Sequence, residues 1–313
     1  MVKSLLLSGV LGLGLLAGCQ NQQVSRGGAD ASSQGDLCMA DTGGSRVISD
    51  LIMDQRFTKQ LGLLIDRKQT VSAIKLSKQL PAAKSCTLKL PKVKTQPLSN
   101  MDLYEQYMDS VLMVGKSFRC GNPRCAKNHT SIASGFLLGN SGAFVTSYHV
   151  VNGAMGGRAK TMVVMNGKGK MWAVSKVLAA DKVNDFAILQ LKGKGFKGLP
   201  IRGDIRVGEK IRTLTHPTGH FFTMSEGIVT RKFFMRLRGF MGKDAWLNID
   251  ADFCKGSSGG PIIDRFGNVV GIVASTQSVY YTEDRRKKVQ QNLQMVFKNV
   301  SAAENFLKRI KQK

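Results

Sequence analysis

Acidic residues are scarce in this chain. Only 21 Asp and Glu stand against 46 Lys and Arg, a formal net charge of +25 over 313 residues. A field of that sign favours acidic partners: anionic head groups, cell-wall polymers or nucleic acid. No zinc-finger, RRM or helix-turn-helix pattern accompanies the charge, which argues against nucleic acid. The basic residues are scattered, with one denser run at Arg285-Arg286-Lys287-Lys288, and most of them read as a solvated surface. Also missing is an apolar run long enough to span a bilayer, since Leu5 to Leu16 is too short. No internal repeat or long low-complexity tract stands out. Metal-ligand spacing is incomplete as well: Cys120, Cys125 and His129 lack a fourth ligand and a second knuckle. Neither a metal nor a cofactor is expected.

What is present is a nucleophile motif. Gly256-Ser257-Ser258-Gly259-Gly260-Pro261 flanks a serine with glycines, which let the backbone turn sharply and leave amide N–H groups free to face a developing oxyanion. A Gly/Ser run alone could be a surface turn. Two upstream segments change that reading. Phe144 to Val151 puts His149 at the end of an apolar strand, and Asn184-Asp185-Phe186-Ala187-Ile188-Leu189 puts Asp185 at the start of another. The order His, Asp, Ser is one of the known chain orders of a catalytic triad. His149 is then the base, Asp185 the group that orients it, Ser258 the nucleophile, and the N–H groups of Gly256 and Ser258 the oxyanion hole. His129, His216 and His220 read as structural or exposed. Asp181 lacks the apolar strand that follows Asp185 and ranks behind it.

These residues resemble the trypsin-like serine peptidases, and more closely their bacterial HtrA/Deg branch. Ala133-Ser134-Gly135-Phe136-Leu137-Leu138, Asp181 to Leu189, Val207-Gly208-Glu209, His216-Pro217-Thr218-Gly219, Ser225 to Val229 and Phe266 to Val273 carry the likeness, from about Met101 to the C-terminus. The resemblance implies a serine endopeptidase acting on proteins or peptides. Its alternatives are a chaperone-like or binding protein on the same scaffold, or an esterase using the same triad. Little sequence follows the peptidase, so the PDZ domain typical of HtrA proteins has no room.

Two further expectations rest on that resemblance. Ser257 stands where clip-activated trypsins carry the aspartate that receives a new N-terminus, so activation by cleavage is not expected. Asp252 stands six residues before Ser258, where trypsin has its pocket-bottom aspartate, and Ala274-Ser275-Thr276 would line a wall. A buried carboxylate there would favour Lys or Arg at P1. Against it, Thr276 replaces a rim glycine, and HtrA-like chains carry an aspartate at the Asp250 position for structural reasons. A small apolar preference stays open.

The N-terminus reads as a targeting segment, with Lys3 before the apolar run. Leu16-Ala17-Gly18-Cys19 resembles a bacterial lipobox, implying cleavage before Cys19 and lipid on its thiol. Gln20, in place of an aspartate, implies an outer-membrane anchor, facing the periplasm or the surface. In that compartment acidic envelope polymers are candidate partners. Of the remaining cysteines, Cys120 and Cys125 flank a Gly-Asn-Pro turn and are expected to pair. Cys38 and Cys86 could staple the N-terminal region, and Cys254 is left over.

The expected organisation is a signal peptide over 1–18, a polar tether over 19–36, an extension of unassigned role over 37–100 and the peptidase over 101–313. Ile48 to Leu64 has helical spacing, and Lys84 to Val93 alternates weakly. Strands are predicted at 111–118, 132–138, 143–147, 160–165, 171–178 and 186–191, then near 210–214, 221–230, 245–250, 260–263, 268–275 and 290–297. Ser301 is expected to cap a last helix. The predicted fold is mainly β: two antiparallel six-stranded barrels, a C-terminal helix and a partly helical N-terminal extension.

Overall fold

The computed structural model describes residues 39–42, 45–118, 122, 124–125, 129–153, 159–237, 240–284 and 289–313. The leader, the tether, Cys19, Cys38, Cys120 and the basic run 285–288 lie outside the described residues.

A short hairpin, β1 (Met39–Thr42) and β2 (Ser45–Ile48), precedes α1 (Asp50–Asp66). Ser49 caps that helix through its side chain, and Asp50 sits in its first turn, where a negative charge is favoured. Then follow α2 (Ala73–Gln79), β3 (Cys86–Leu88) and α3 (Asn100–Tyr107). The first barrel comprises β4 (Val111–Phe118), β5 (His129–Leu138), β6 (Ala143–Thr146), β7 (Ala159–Asn166), β8 (Met171–Asp181) and β9 (Phe186–Leu191), with α4 (Tyr148–Asn152) after β6. It closes in the order β4-β5-β6-β9-β8-β7. The second comprises β10 (Lys210–Thr215), β11 (Thr223–Leu237), β12 (Phe240–Ile249), β13 (Pro261–Asp264), β14 (Val269–Asp284) and β15 (Val289–Ala302). It closes as β10-β11-β12-β15-β14-β13. The chain ends with α5 (Ala303–Leu307) and β16 (Ile310–Gln312), and β16 pairs parallel with β3.

The extension completes the packing of the first barrel. Alternate residues of a strand face opposite ways, and β4 is buried on both faces. Val111 and Met113 join a core with Met53, Phe57 and Leu61 of α1. Leu112 and Val114 join another with Leu76 of α2 and Leu80 just beyond it. Gly115 makes the α1 contact possible, because a Cβ there would fall inside the Phe57 ring. Burying a side chain of that size contributes roughly 1.5–3 kcal/mol.

Three expectations need correction. Ser301 is a fully buried residue of β15, and the helix starts after Ala302. Strands β11, β12 and β14 run well beyond the predicted ones, because their outer ends are largely exposed and their apolar residues, such as Phe234, Val279 and Tyr281, follow no buried face, and β15 continues past 297 through the buried Asn299 to Ala302. Lys84 to Val93 contributes only the three residues of β3.

Candidate active site

The nucleophile loop lies between β12 and β13 and takes its shape from two glycines. Gly256 (φ +98°) and Gly259 (φ +82°) both occupy the left-handed region, on either side of Ser258. A Cβ on Gly256 would run into the carbonyl of His216, and one on Gly259 into Thr146 and Ser134. Ser257 points away from the cleft, fully buried, its Oγ 3.0 Å from Thr215 Oγ1.

His149 sits on α4 rather than at a strand end. Ser147 precedes that helix, and its buried Oγ donates to the Val273 carbonyl at 2.9 Å, tying the helix start to the second barrel. At the other end the buried Lys116 ammonium donates to the Gly153 carbonyl at 2.7 Å. Burial pushes the Lys116 amine down to about 8. Asp185, itself at φ +51°, accepts from the His149 N–H through Oδ1 at 3.0 Å. Its Oδ2 lies 2.8 Å from His149 Nδ1, and its carbonyl accepts the Tyr148 N–H at 3.1 Å. Across the cleft, His149 Nε2 is 3.0 Å from Ser258 Oγ. The two barrels thus bring Ser258, His149 and Asp185 into one hydrogen-bonded line. With Asp185 accepting at Nδ1, that nitrogen carries the proton and Nε2 is left as the acceptor for the hydroxyl.

Ser134, at the centre of the Ala-Ser-Gly-Phe segment of β5, holds the loop from the other barrel. Its N–H donates to the Ser258 carbonyl at 3.0 Å, and its Oγ donates to the Gly256 carbonyl at 2.9 Å. The same Oγ accepts the His216 N–H at 3.1 Å. A further bond turns the preceding peptide: the Thr218 N–H donates to the Lys255 carbonyl at 2.7 Å. In a trans peptide the N–H points opposite to the C=O, so the Gly256 N–H faces away from Thr218.

The other candidates fall elsewhere. His216 is fully buried and neutral, its pKa pushed down to about 3 by burial, with Nδ1 accepting the Phe222 N–H at 3.0 Å. His220 is exposed and 3.2 Å from Asp50. Asp181 accepts the Val183 and Asn184 N–H groups and pairs with Arg309, which shapes the turn leading to Asp185. Cys125 is a free thiol whose Sγ lies 3.2 Å from His129 Nε2, and Cys120, its expected disulfide partner, lies outside the described residues. Cys86 and Cys254 are also free. Among the described residues no cluster of three or more metal-ligating side chains occurs.

The pocket-bottom role expected for Asp252 is overturned. Its side chain is 90% exposed and pairs with Lys298 at 2.5 Å, so it is neither buried nor unpaired. The carbonyl of Asp252, not its carboxylate, is turned inward to accept from Ser225 Oγ. Ala274 is buried, while Ser275 and Thr276 are exposed on β14, and Asn299 Nδ2 lies 3.3 Å from Ser275 Oγ. The sequence reading missed Ser134, Thr218 and Asp50. Only Ser134 left a trace, as a polar residue inside an apolar strand.

Comparisons with known proteins point the same way. Residues 133–272 match the trypsin-like peptidase domain family. The chain is 34% identical over 143 residues to a protein of Brucella suis named "Probable periplasmic serine endoprotease DegP-like", covering 44% of this chain and 26% of that one. It is 32% identical over 139 residues to "Serine protease Do-like HtrB" of Bacillus subtilis, covering 41% and 28%. The match thus spans little more than a quarter of either relative. Among solved structures, the HtrA-type protease AlgW with tripeptide superposes with a TM-score of 0.51 at 18% identity, over 67% of this chain and 62% of that one. That likeness concerns the fold.

Proposed function

We propose that this protein is a serine endopeptidase of the HtrA type, working through an acyl-enzyme in the bacterial cell envelope. One observation carries the reading: the unbroken line Ser258 Oγ, His149 Nε2, His149 Nδ1, Asp185 Oδ2, with steps of 3.0 and 2.8 Å between side chains. Ser258 Oγ attacks the scissile carbonyl while His149 Nε2 takes its proton. Asp185 stabilises the imidazolium, and the N–H groups of Gly256 and Ser258 hold the oxyanion. His149 then protonates the leaving amine, the C–N bond breaks, and water activated by the same base releases the acyl group.

In this reading residues 101–313 are the peptidase domain, 37–100 an extension packed on it, and Cys19 a lipid anchor at the envelope membrane. Among the described residues no helix is long and apolar enough to cross a membrane. The Asp252–Lys298 pair removes the support for a basic P1 preference.

A fluorophosphonate probe tests the chemistry. Stoichiometric labelling of the wild type, absent in Ser258→Ala and strongly slowed in His149→Ala and Asp185→Asn, is the expected result. Near-native peptide cleavage by Ser258→Ala would sink the assignment. A matched peptide and ester panel separates a peptidase from an esterase on the same residues.

A further inference from the structure

A cavity that the proposed chemistry does not use is lined by four lysines, of which Lys94 is half-buried and Lys89, Lys92 and Lys197 are exposed. It measures about 520 Å³ and is walled by the stretch after β3, the end of α3, the β5–β6 turn and the segment joining the barrels. Lys89, Lys92, Lys94 and Lys197 line it, and no Asp or Glu is among the lining residues.

The site is built rather than incidental. Asn268, fully buried, clamps the Lys94 backbone from both sides: its Oδ1 accepts the Lys94 N–H at 2.7 Å, and its Nδ2 donates to the Lys94 carbonyl at 2.9 Å. The Lys94 ammonium donates to Tyr107 Oη at 3.1 Å, and the Tyr107 hydroxyl donates in turn to the Gly267 carbonyl at 2.5 Å. Lys94 is therefore held in place by neutral groups only. Partial burial and then the charge of Lys197 lower its pKa below the ordinary lysine value. Like charges held together are costly, and a bound anion offsets that cost. The wall from the interbarrel segment is fixed too, since a Cβ on Gly198 would overlap the Gly139 backbone and one on Gly139 would meet the Lys89 carbonyl.

We propose that this cavity binds a phosphate group carried on a small organic body. Lysine ammonium groups are compact point charges that can surround a tetrahedral dianion. The volume exceeds what an inorganic ion needs and falls within the usual range for a small organic ligand. Leu90, Pro91, Leu199 and Pro200 supply apolar wall for the rest of the molecule. The phosphate could arrive on a soluble ester or on a lipid head group, and the test distinguishes them.

The test is calorimetric titration of the mature chain, at constant ionic strength, with inorganic phosphate, phenyl phosphate and dihexanoyl phosphatidic acid below its micelle concentration. Phenyl phosphate is expected to bind one to one and more tightly than inorganic phosphate. The Lys94→Gln/Lys197→Gln double variant should weaken it at least tenfold, and Lys59→Gln on the exposed face of α1 by less than twofold. Tighter binding of the phosphatidic acid, lost in the same variants, identifies a lipid head group; weaker binding identifies a soluble ester. Absence of saturable binding, a stoichiometry well above one, or equal weakening by Lys59→Gln overturns the proposal, the last two because they are what a +25 surface alone produces.

Discussion

Asp50 Oδ1 accepts the backbone N–H of Phe221 at 2.9 Å, across 171 residues of sequence. The turn it grips is strained, with Thr218 at φ +49° and Phe222 at φ +57°, and non-glycine residues in that region each cost of order 1–3 kcal/mol. That turn in turn donates the Thr218 N–H to the Lys255 carbonyl, which sets the direction of the Gly256 N–H. The first residue of α1 is thus two links from the proposed oxyanion hole.

Asp50→Ala is therefore expected to lower kcat with little change in KM. A hydrogen bond to a charged group contributes about 1.5–3 kcal/mol when desolvated. The Asp50 side chain is 43% exposed, so about 1 kcal/mol is the fitting magnitude, or about fivefold in kcat. Asp50→Asn keeps an acceptor and should fall between. Steady-state kinetics on a peptide substrate decide it, and an effect confined to KM would contradict the bracing role.

Gly256→Ala should be far more damaging. The added methyl meets the His216 carbonyl and the left-handed backbone disfavours it, so the loop must shift. Loss of one oxyanion donor costs about 2.7–4 kcal/mol, a hundredfold to a thousandfold in kcat. Ser134→Ala leaves the Gly256 carbonyl and the His216 N–H unpaired in a buried place, and about 1–3 kcal/mol of stability should go with it. Thermal melting separates the two, since Gly256→Ala should retain more of the native melting temperature relative to its loss of activity.

Lys116 predicts a pH dependence. Its folded pKa, about 8, lies below the ordinary 10.5, so the unfolded chain binds the extra proton between those values. Stability contributed by this group therefore rises as pH climbs from about 8 to about 10.5, by about 3 kcal/mol in all at 1.36 kcal/mol per tenfold in proton affinity. Lys116→Met should flatten that rise, relative to wild type, in denaturant unfolding measured across the alkaline range. Identical slopes for the two proteins would show that the ammonium is not buried at a cost.

Membrane attachment is open to a direct measurement. Exposed charges are screened within about 3 Å at molar salt, whereas acyl chains contribute about 0.8 kcal/mol per buried CH₂ regardless of salt. The wild type is expected to stay with membranes through a high-salt wash, and Cys19→Ser to block lipid attachment. A lipid-free mature chain that washes off freely would remove the anchor from the reading.

The nucleophile motif around Ser258, the apolar strands that precede His149 and follow Asp185, and the strand cores of both barrels were legible in the amino-acid sequence. Each depends on neighbours a few residues away: glycines that set a turn, or alternation that sets which face is buried. The helical spacing of Ile48 to Leu64 was legible for the same reason. What Asp50, Ser134, Thr218 and Asp252 do was decided only by tertiary structure. Asp50 reaches Phe221, Ser134 reaches Gly256 across 122 residues, and Lys298 rather than a pocket wall meets Asp252. Such contacts are hydrogen bonds and ion pairs between segments that only the closing of two barrels brings within 3 Å, and no local pattern of residue types encodes them.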